Sequence, residues 1–130
     1  MSHKHSIRVY YEDTDFAGIV YHANYLKFIE RARTELLISL GISQKKINLL
    51  NQGYFVVKKI NANYLKPAYF EDDLTIISSF MDIKFTSFEI SQQIFRKKVK
   101  IFQSRVLLAY LERGHLCKMP ETLKKKLTRF

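Results

Sequence analysis

Residues 13 to 30 read DTDFAGIVYHANYLKFIE, placing two carboxylates, a glycine, a histidine and the start of an amphipathic run close together. Asp15 and His22 are the groups that could do chemistry. Asp15 follows a strand-like stretch, passes the small pair Ala17–Gly18 and faces a helix whose start is expected between His22 and Asn24. The first amides of a helix lack internal partners and lie at the positive end of its dipole. A carbonyl oxygen placed there would be polarised, and an oxyanion stabilised. Gly18 has no Cβ to keep a ligand from the backbone. A carboxylate opposite such a site can attack an activated acyl carbon or activate water against it. A thioester suits this minimal machinery, because a thiolate whose conjugate acid has a pKa of about 8.5 leaves without strong acid assistance. The same residues also read as an ordinary turn, with Asp13 and Asp15 capping backbone amides and His22 a satisfied polar group. Residue types alone leave both readings open.

The elements around this stretch must hold it in place. Tyr25, Phe28, Ile29, Ala32, Leu36 and Leu40 recur at helical spacing, and Leu26, Leu37 and Ile38 widen the stripe. Asn24 is the expected N-cap and Gly41 the stop. The helix is then about 25 Å long at 1.5 Å per residue. Before it, Ile7, Val9 and Tyr11 alternate with polar neighbours, predicting a short strand over 7–11. After it comes a polar connection, with a helical turn around Ile47 to Leu50. From Tyr54 the period is two: Tyr54, Val56, Ile60, Ala62 and Tyr64 share one face, Lys58 interrupts it, and Lys59, Asn61 and Asn63 lie opposite. Pro67 ends this strand. Further strands are expected over 74–83, 87–96 and 99–112, with a short tail after Pro120. The turn between the last two strands is basic and lacks glycine, unusual for a tight hairpin. One long helix, five strands and no βαβ alternation make an α+β layout in a single domain, 1–130.

Composition narrows the function. The net charge of +10 favours polyanionic partners, and two basic clusters stand out at 96–100 and 124–126. A nucleic-acid-binding module is one reading of that charge. Against it, the ten Phe and eight Tyr fall mostly on apolar faces and do not interleave with basic residues. The single cysteine, the absence of an apolar signal segment and the lack of any membrane-spanning run predict a soluble cytoplasmic protein. There is no dinucleotide or Walker loop, no zinc pattern and no G-x-S-x-G elbow. No metal and no cofactor are expected. His115 and Cys117 read as packing near a strand end, and His3 and His5 as part of a frayed terminus.

The run YYEDTDFAGIVYHANYLKFIERART closely resembles the signature of the 4-hydroxybenzoyl-CoA thioesterase family, the hotdog-fold acyl-CoA thioesterases. Within that family the run most resembles the YbgC-type, Tol-Pal-associated branch. Asp13, Asp15, Gly18, Val20, Tyr21, His22, Asn24, Tyr25, Leu26, Phe28, Glu30, Ala32 and Arg33 match its pattern. A second match is YLKPAYFEDDL, residues 64 to 74, and a weaker one is MPETL. The resemblance implies a five-stranded antiparallel sheet wrapped around one long central helix. It implies Asp15 as nucleophile or general base, with His22 beside it. The backbone of Gly18, Tyr21 and His22 would hold the thioester oxygen, and Asp13 would be structural. It also implies an acyl-CoA substrate, coenzyme A being part of the substrate, and homodimers with sites at the subunit seam that assemble into homotetramers. Assigning Arg96, Lys97 and Lys98 to the coenzyme phosphates is a charge argument only. The rival enzyme reading is a hotdog dehydratase, for which no matching histidine motif is present. A thioester on an acyl carrier protein stays open, as does peripheral contact with a membrane.

Overall fold

The computed structural model describes residues 1–130. Strand β1 spans His3–Arg8, helix α1 His22–Ser39, helix α2 Gln44–Asn51 and strand β2 Gly53–Tyr64. Strands β3 (Asp73–Ile83), β4 (Ser87–Arg96) and β5 (Val99–Glu112) follow, then the two-residue β6 (His115–Leu116) and helix α3 (Glu121–Thr128). The sheet order is β1-β3-β4-β5-β2, antiparallel throughout, with β6 paired to the end of β5. No helix is long and apolar enough to cross a membrane.

Most of the helical stripe read from the sequence is buried, but Ile38, placed on its margin, is 58% exposed, and Leu40 caps the helix half-buried. Tyr25, Phe28, Ile29, Ala32, Leu36 and Leu37 are buried, and α1 packs on β1 and β3. Across the interface lie Leu74, Ile76, Ile90, Ile94, Phe102 and Val106, the inward positions of the central strands. One polar side chain fixes how the helix sits. Gln92 is fully buried on β4, and its Nε2 donates to the Ile29 carbonyl at 2.8 Å and to Ser78 Oγ at 3.0 Å. A buried amide must find such partners, so it locks one position of the helix over the sheet. Gly41 ends the segment in the left-handed conformation at φ +76°, as the sequence suggests.

Four expectations change. β1 spans His3–Arg8 and not 7–11, because His3, His5 and Ile7 pair with Ser78, Ile76 and Leu74 of β3, while Tyr11 opens a 3-10 turn and is exposed; the N-terminal segment is held by its ladder and is not frayed. The tail after Pro120 is a helix whose Leu123 and Leu127 are buried, an apolar pair of one turn set among lysines. The turn around Ile47 is a full helix, with Ser43 as N-cap accepting from the Lys46 amide at 3.2 Å. The face of β2 also differs. A bulge at Lys58 adds one residue between Val57 and Lys59. Phe55 and Val57 therefore pair with the inward-facing Tyr110 and Leu108, while Ile60, Ala62 and Tyr64 pair with Val106, Ser104 and Phe102. Tyr54 and Val56 lie on the opposite face, because one extra residue inverts every later side chain.

The glycine-free hairpin between β4 and β5 closes with Lys97 at φ +56°. A non-glycine residue takes up the left-handed geometry there. At the start of β2, Gly53 is obligatory for a different reason. A Cβ on it would fall on the Tyr110 ring, 2.7 Å from Cζ.

Candidate active site

The segment between β1 and α1 is a closed turn pinned at both ends. Thr14 bridges Val20, and Ile19 bridges Tyr69. The Asp15 amide donates to the Ile19 carbonyl at 2.9 Å and the Gly18 amide to the Asp15 carbonyl at 3.0 Å. Gly18 sits at φ +83° with open space where a Cβ would be, so it both closes the turn and leaves the backbone uncovered. The Ala17 amide donates to Asp15 Oδ1 at 2.8 Å. That single bond fixes the carboxylate; its other oxygen has no donor within the chain.

Asp13 is a structural residue of this turn. Its Oδ2 accepts from the Tyr10 amide at 2.8 Å, and its carbonyl accepts from the Tyr21 amide at 3.0 Å and from Asn24 Nδ2 at 2.8 Å. Asn24 therefore ties the loop to the first turn of α1 and does not cap it. The N-cap is Tyr21, with no side-chain capping bond, and the helix begins at His22. The amides of Gly18 and Tyr21 are both committed inside the loop, which removes them as free donors to a ligand. The amides of His22 and Ala23 donate to nothing within the chain and are the open end of the helix.

Asp15 and His22 share one open cleft of about 440 Å³, walled by Ile19, Val20, Tyr25, Tyr64, Leu65, Lys66 and Pro67. The wall is aromatic. Tyr25 stacks on Phe102 at 5.2 Å between centroids, and Tyr64 meets the Tyr25 ring edge-on at 5.3 Å. Tyr64 donates its hydroxyl to the His22 carbonyl at 3.0 Å, linking β2 to the helix start. The Tyr25 hydroxyl accepts from the Ala68 amide at 3.1 Å, and burial raises its pKa above the usual tyrosine range. Tyr64 and Lys66 come from the second sequence match, residues 64 to 74. That match was legible as a motif, but its place beside Asp15 was not, because β2 and the β1–α1 loop are far apart in the chain.

The basic residues divide. Arg96 ends β4 near the cleft, but its Nη1 donates to the Pro67 carbonyl at 2.8 Å and pairs with Asp72 at 3.1 Å. Through Nη1 the guanidinium holds the 67–72 loop that forms one wall. Lys97 and Lys98 stand exposed at the adjacent turn, and Lys66 lines the cleft itself.

A sequence profile of the thioesterase superfamily matches residues 17–102. The chain is 36% identical over 110 residues to the acyl-CoA thioesterase YbgC of Haemophilus influenzae, covering 85% of this chain and 81% of that one. It is 33% identical over 116 residues to the acyl-CoA thioesterase YbgC of Helicobacter pylori, covering 82% and 84% respectively. A solved probable thioesterase from Bartonella henselae superposes with a TM-score of 0.88 at 31% identity, covering 92% of this chain and 100% of that one. A Thermus thermophilus structure at 19% identity reaches a TM-score of 0.94 and supports the fold alone. The chain belongs to the thioesterase superfamily, as a hotdog-fold thioester hydrolase of the YbgC type.

Proposed function

We propose that the protein hydrolyses acyl-CoA thioesters to a free carboxylic acid and coenzyme A, with Asp15 as the catalytic carboxylate. The observation that carries this reading is the meeting of Asp15 with the uncapped start of α1 in one cleft. The thioester oxygen lies against the His22 and Ala23 amides, which carry the positive end of the helix dipole. Asp15 then takes a proton from water as it adds to the carbonyl carbon, or adds to that carbon itself. In either case the C–S bond breaks and the thiolate leaves. In the second case water cleaves the resulting anhydride. The His22 imidazole, packed between Tyr21 and Tyr64 with centroids 4.6 and 6.2 Å away, orients the entering water. Lys66 and the exposed Lys97 and Lys98 give the coenzyme phosphates their counter-charge. The relatives' acyl-CoA activity supports the substrate class. The charge of +10 also suits an acidic carrier protein bearing the same thioester.

The working form is a homodimer formed along β2, which pairs only with β5 and leaves its other edge open. Val57, Ile60, Tyr64 and Leu65 are 45%, 39%, 47% and 50% exposed there, beside the Asp15 cleft. An open apolar edge of this kind is what a second chain covers. Homotetramers pair two such dimers. Release of coenzyme A thiol from acetyl-, benzoyl- and palmitoyl-CoA by wild type and Asp15→Asn tests the catalytic reading. Turnover by wild type and not by the variant is expected; equal turnover by both sinks the assignment of Asp15.

A further inference from the structure

The positive charge of the chain is not spread evenly. Residues 41–54 and 113–130 carry eight Lys and Arg against one acid, Glu121, and so hold +7 of the net +10. These segments meet at one end of the molecule. Helices α2 and α3 face each other across a groove of about 260 Å³ lined by Ile42, Ile47 and Leu123. Lys126 reaches from α3 and donates to the Gly41 carbonyl at 2.9 Å, tying α3 to the turn before α2. This end lies at the C-terminus of α1, one helix length of about 27 Å from the Asp15 cleft. Near the cleft the charge is balanced, because six of the twelve acids, in 12–15 and 71–73, offset the basic turn at 96–98.

Helix α2 carries more than charge. It has no buried residue, and Leu49 and Leu50, side by side, are 73% and 82% exposed. Lys45 and Lys46 stand one turn before them on the same faces and are exposed too. Lys125 and Arg129 of the α3 segment are exposed, and none of these four cations is in an ion pair. Beside α3 the exposed Phe85 lies under Lys118 and Lys124, 4.9 and 3.8 Å from its ring centre.

We infer that this end of the chain docks on the surface of an anionic lipid bilayer, with the lysines at the headgroup phosphates and Leu49 and Leu50 in the acyl boundary beneath them. The inference is independent of which thioester the cleft takes. Two neighbouring leucines in water are unfavourable and gain nothing inside the chain. A headgroup layer satisfies both properties of α2 together, since cations meet phosphate where apolar side chains meet acyl chains. Each lysine near such a surface strengthens binding about fivefold. A folded acidic protein would answer the lysines and leave the leucines uncovered. Docked on α2 and α3, the chain holds its Asp15 cleft away from the bilayer and open to substrate.

Co-sedimentation of the full chain with vesicles tests this. Vesicles of phosphatidylcholine with phosphatidylglycerol are compared with phosphatidylcholine alone. The proteins are wild type, Lys45→Glu/Lys46→Glu, Leu49→Ser/Leu50→Ser and Lys97→Glu/Lys98→Glu, with thermal melts confirming that each folds. All these side chains are exposed, so the melts should change little. Wild type is expected on the anionic vesicles and not on the neutral ones. The first variant should bind about tenfold more weakly or worse, and the leucine variant about tenfold more weakly. The third makes the same charge change at the cleft end and should bind like wild type. Wild type that ignores anionic vesicles overturns the proposal. So does a leucine variant that binds fully, which leaves only diffuse attraction, and a Lys97/Lys98 variant as weak as the first, which makes net charge the cause. If wild type ignores the vesicles but retains an acidic acyl carrier protein through Lys45 and Lys46, the face belongs to a protein partner. If the leucine variant changes the sedimentation mass of the free chain and not its vesicle binding, copies of the chain cover the face and the inference fails.

Discussion

At the residue scale, Asp15 is held by one amide and otherwise free. Asp15→Asn keeps an oxygen to accept from Ala17 and loses the base, so thermal stability should be unchanged while the hydrolysis rate falls about 10²–10⁴-fold. His22→Ala should cost less, because the backbone amide at the helix start survives the substitution. Tyr64→Phe removes the bond to the His22 carbonyl and should cost about 0.5–1.5 kcal/mol of stability, read by thermal melts, with a smaller loss of rate than Asp15→Asn. A rate unaffected by Asp15→Asn alongside an intact melt would make Asp15 a turn residue. That alternative was open in the sequence, where Asp-rich turns and catalytic carboxylates look alike. The structure narrows the choice by placing the carboxylate and the uncapped helix start in one cleft.

At the scale of elements, the site depends on supports distant from it. Gly53 opens β2 under the Tyr110 ring, so Gly53→Ala forces the ring or the strand to move. It should destabilise by about 1–3 kcal/mol in chemical denaturation. Leu127, buried on α3, anchors the helix that the tail forms. Leu127→Ala should cost about 2–5 kcal/mol, and a loss well under that range would show that α3 is loosely attached. The limits of β4 and the body of α1 were legible because each carries one unbroken period; β5 was legible as a long apolar run although its pairing with β4 skips Ile101. The inward face of β2 was not. Its period is broken by the bulge at Lys58, and only pairing with β5 shows which residue is extra.

At the scale of the whole molecule, two properties follow from charge and burial. The excess of 22 Lys and Arg over 12 Asp and Glu should make KM for acyl-CoA rise with ionic strength, since screening weakens attraction for the coenzyme phosphates. A substrate without phosphates, such as an acyl-pantetheine, should show little of this. Alkaline stability is the second property. Burial raises the pKa of Tyr25, and burial together with the Glu112 hydrogen bond raises that of Tyr110. A group raised in the folded state binds its proton more tightly than in the unfolded chain. Its contribution is complete below the ordinary tyrosine value of about 10 and is lost as pH rises through the folded value. Melting temperature should therefore fall above about pH 10, and Tyr110→Phe should flatten that fall. A profile with the same slope in the variant would show that Tyr110 does not control it.

The sequence by itself determined the helix stripe from Tyr25 to Leu37, the main strands and the residues around Asp15, because these are local periods and contiguous motifs. Its long match from Tyr10 to Thr34 was enough to assign the family. Tertiary structure decided the rest. It committed the amides of Gly18 and Tyr21 to the loop and left those of His22 and Ala23 open. It turned Arg96 toward Asp72 and brought Tyr64 and Lys66 to the Asp15 cleft. Each of these depends on which groups meet across distant parts of the chain. Hydrogen-bond partners and burial are properties of that meeting, and no residue carries them alone.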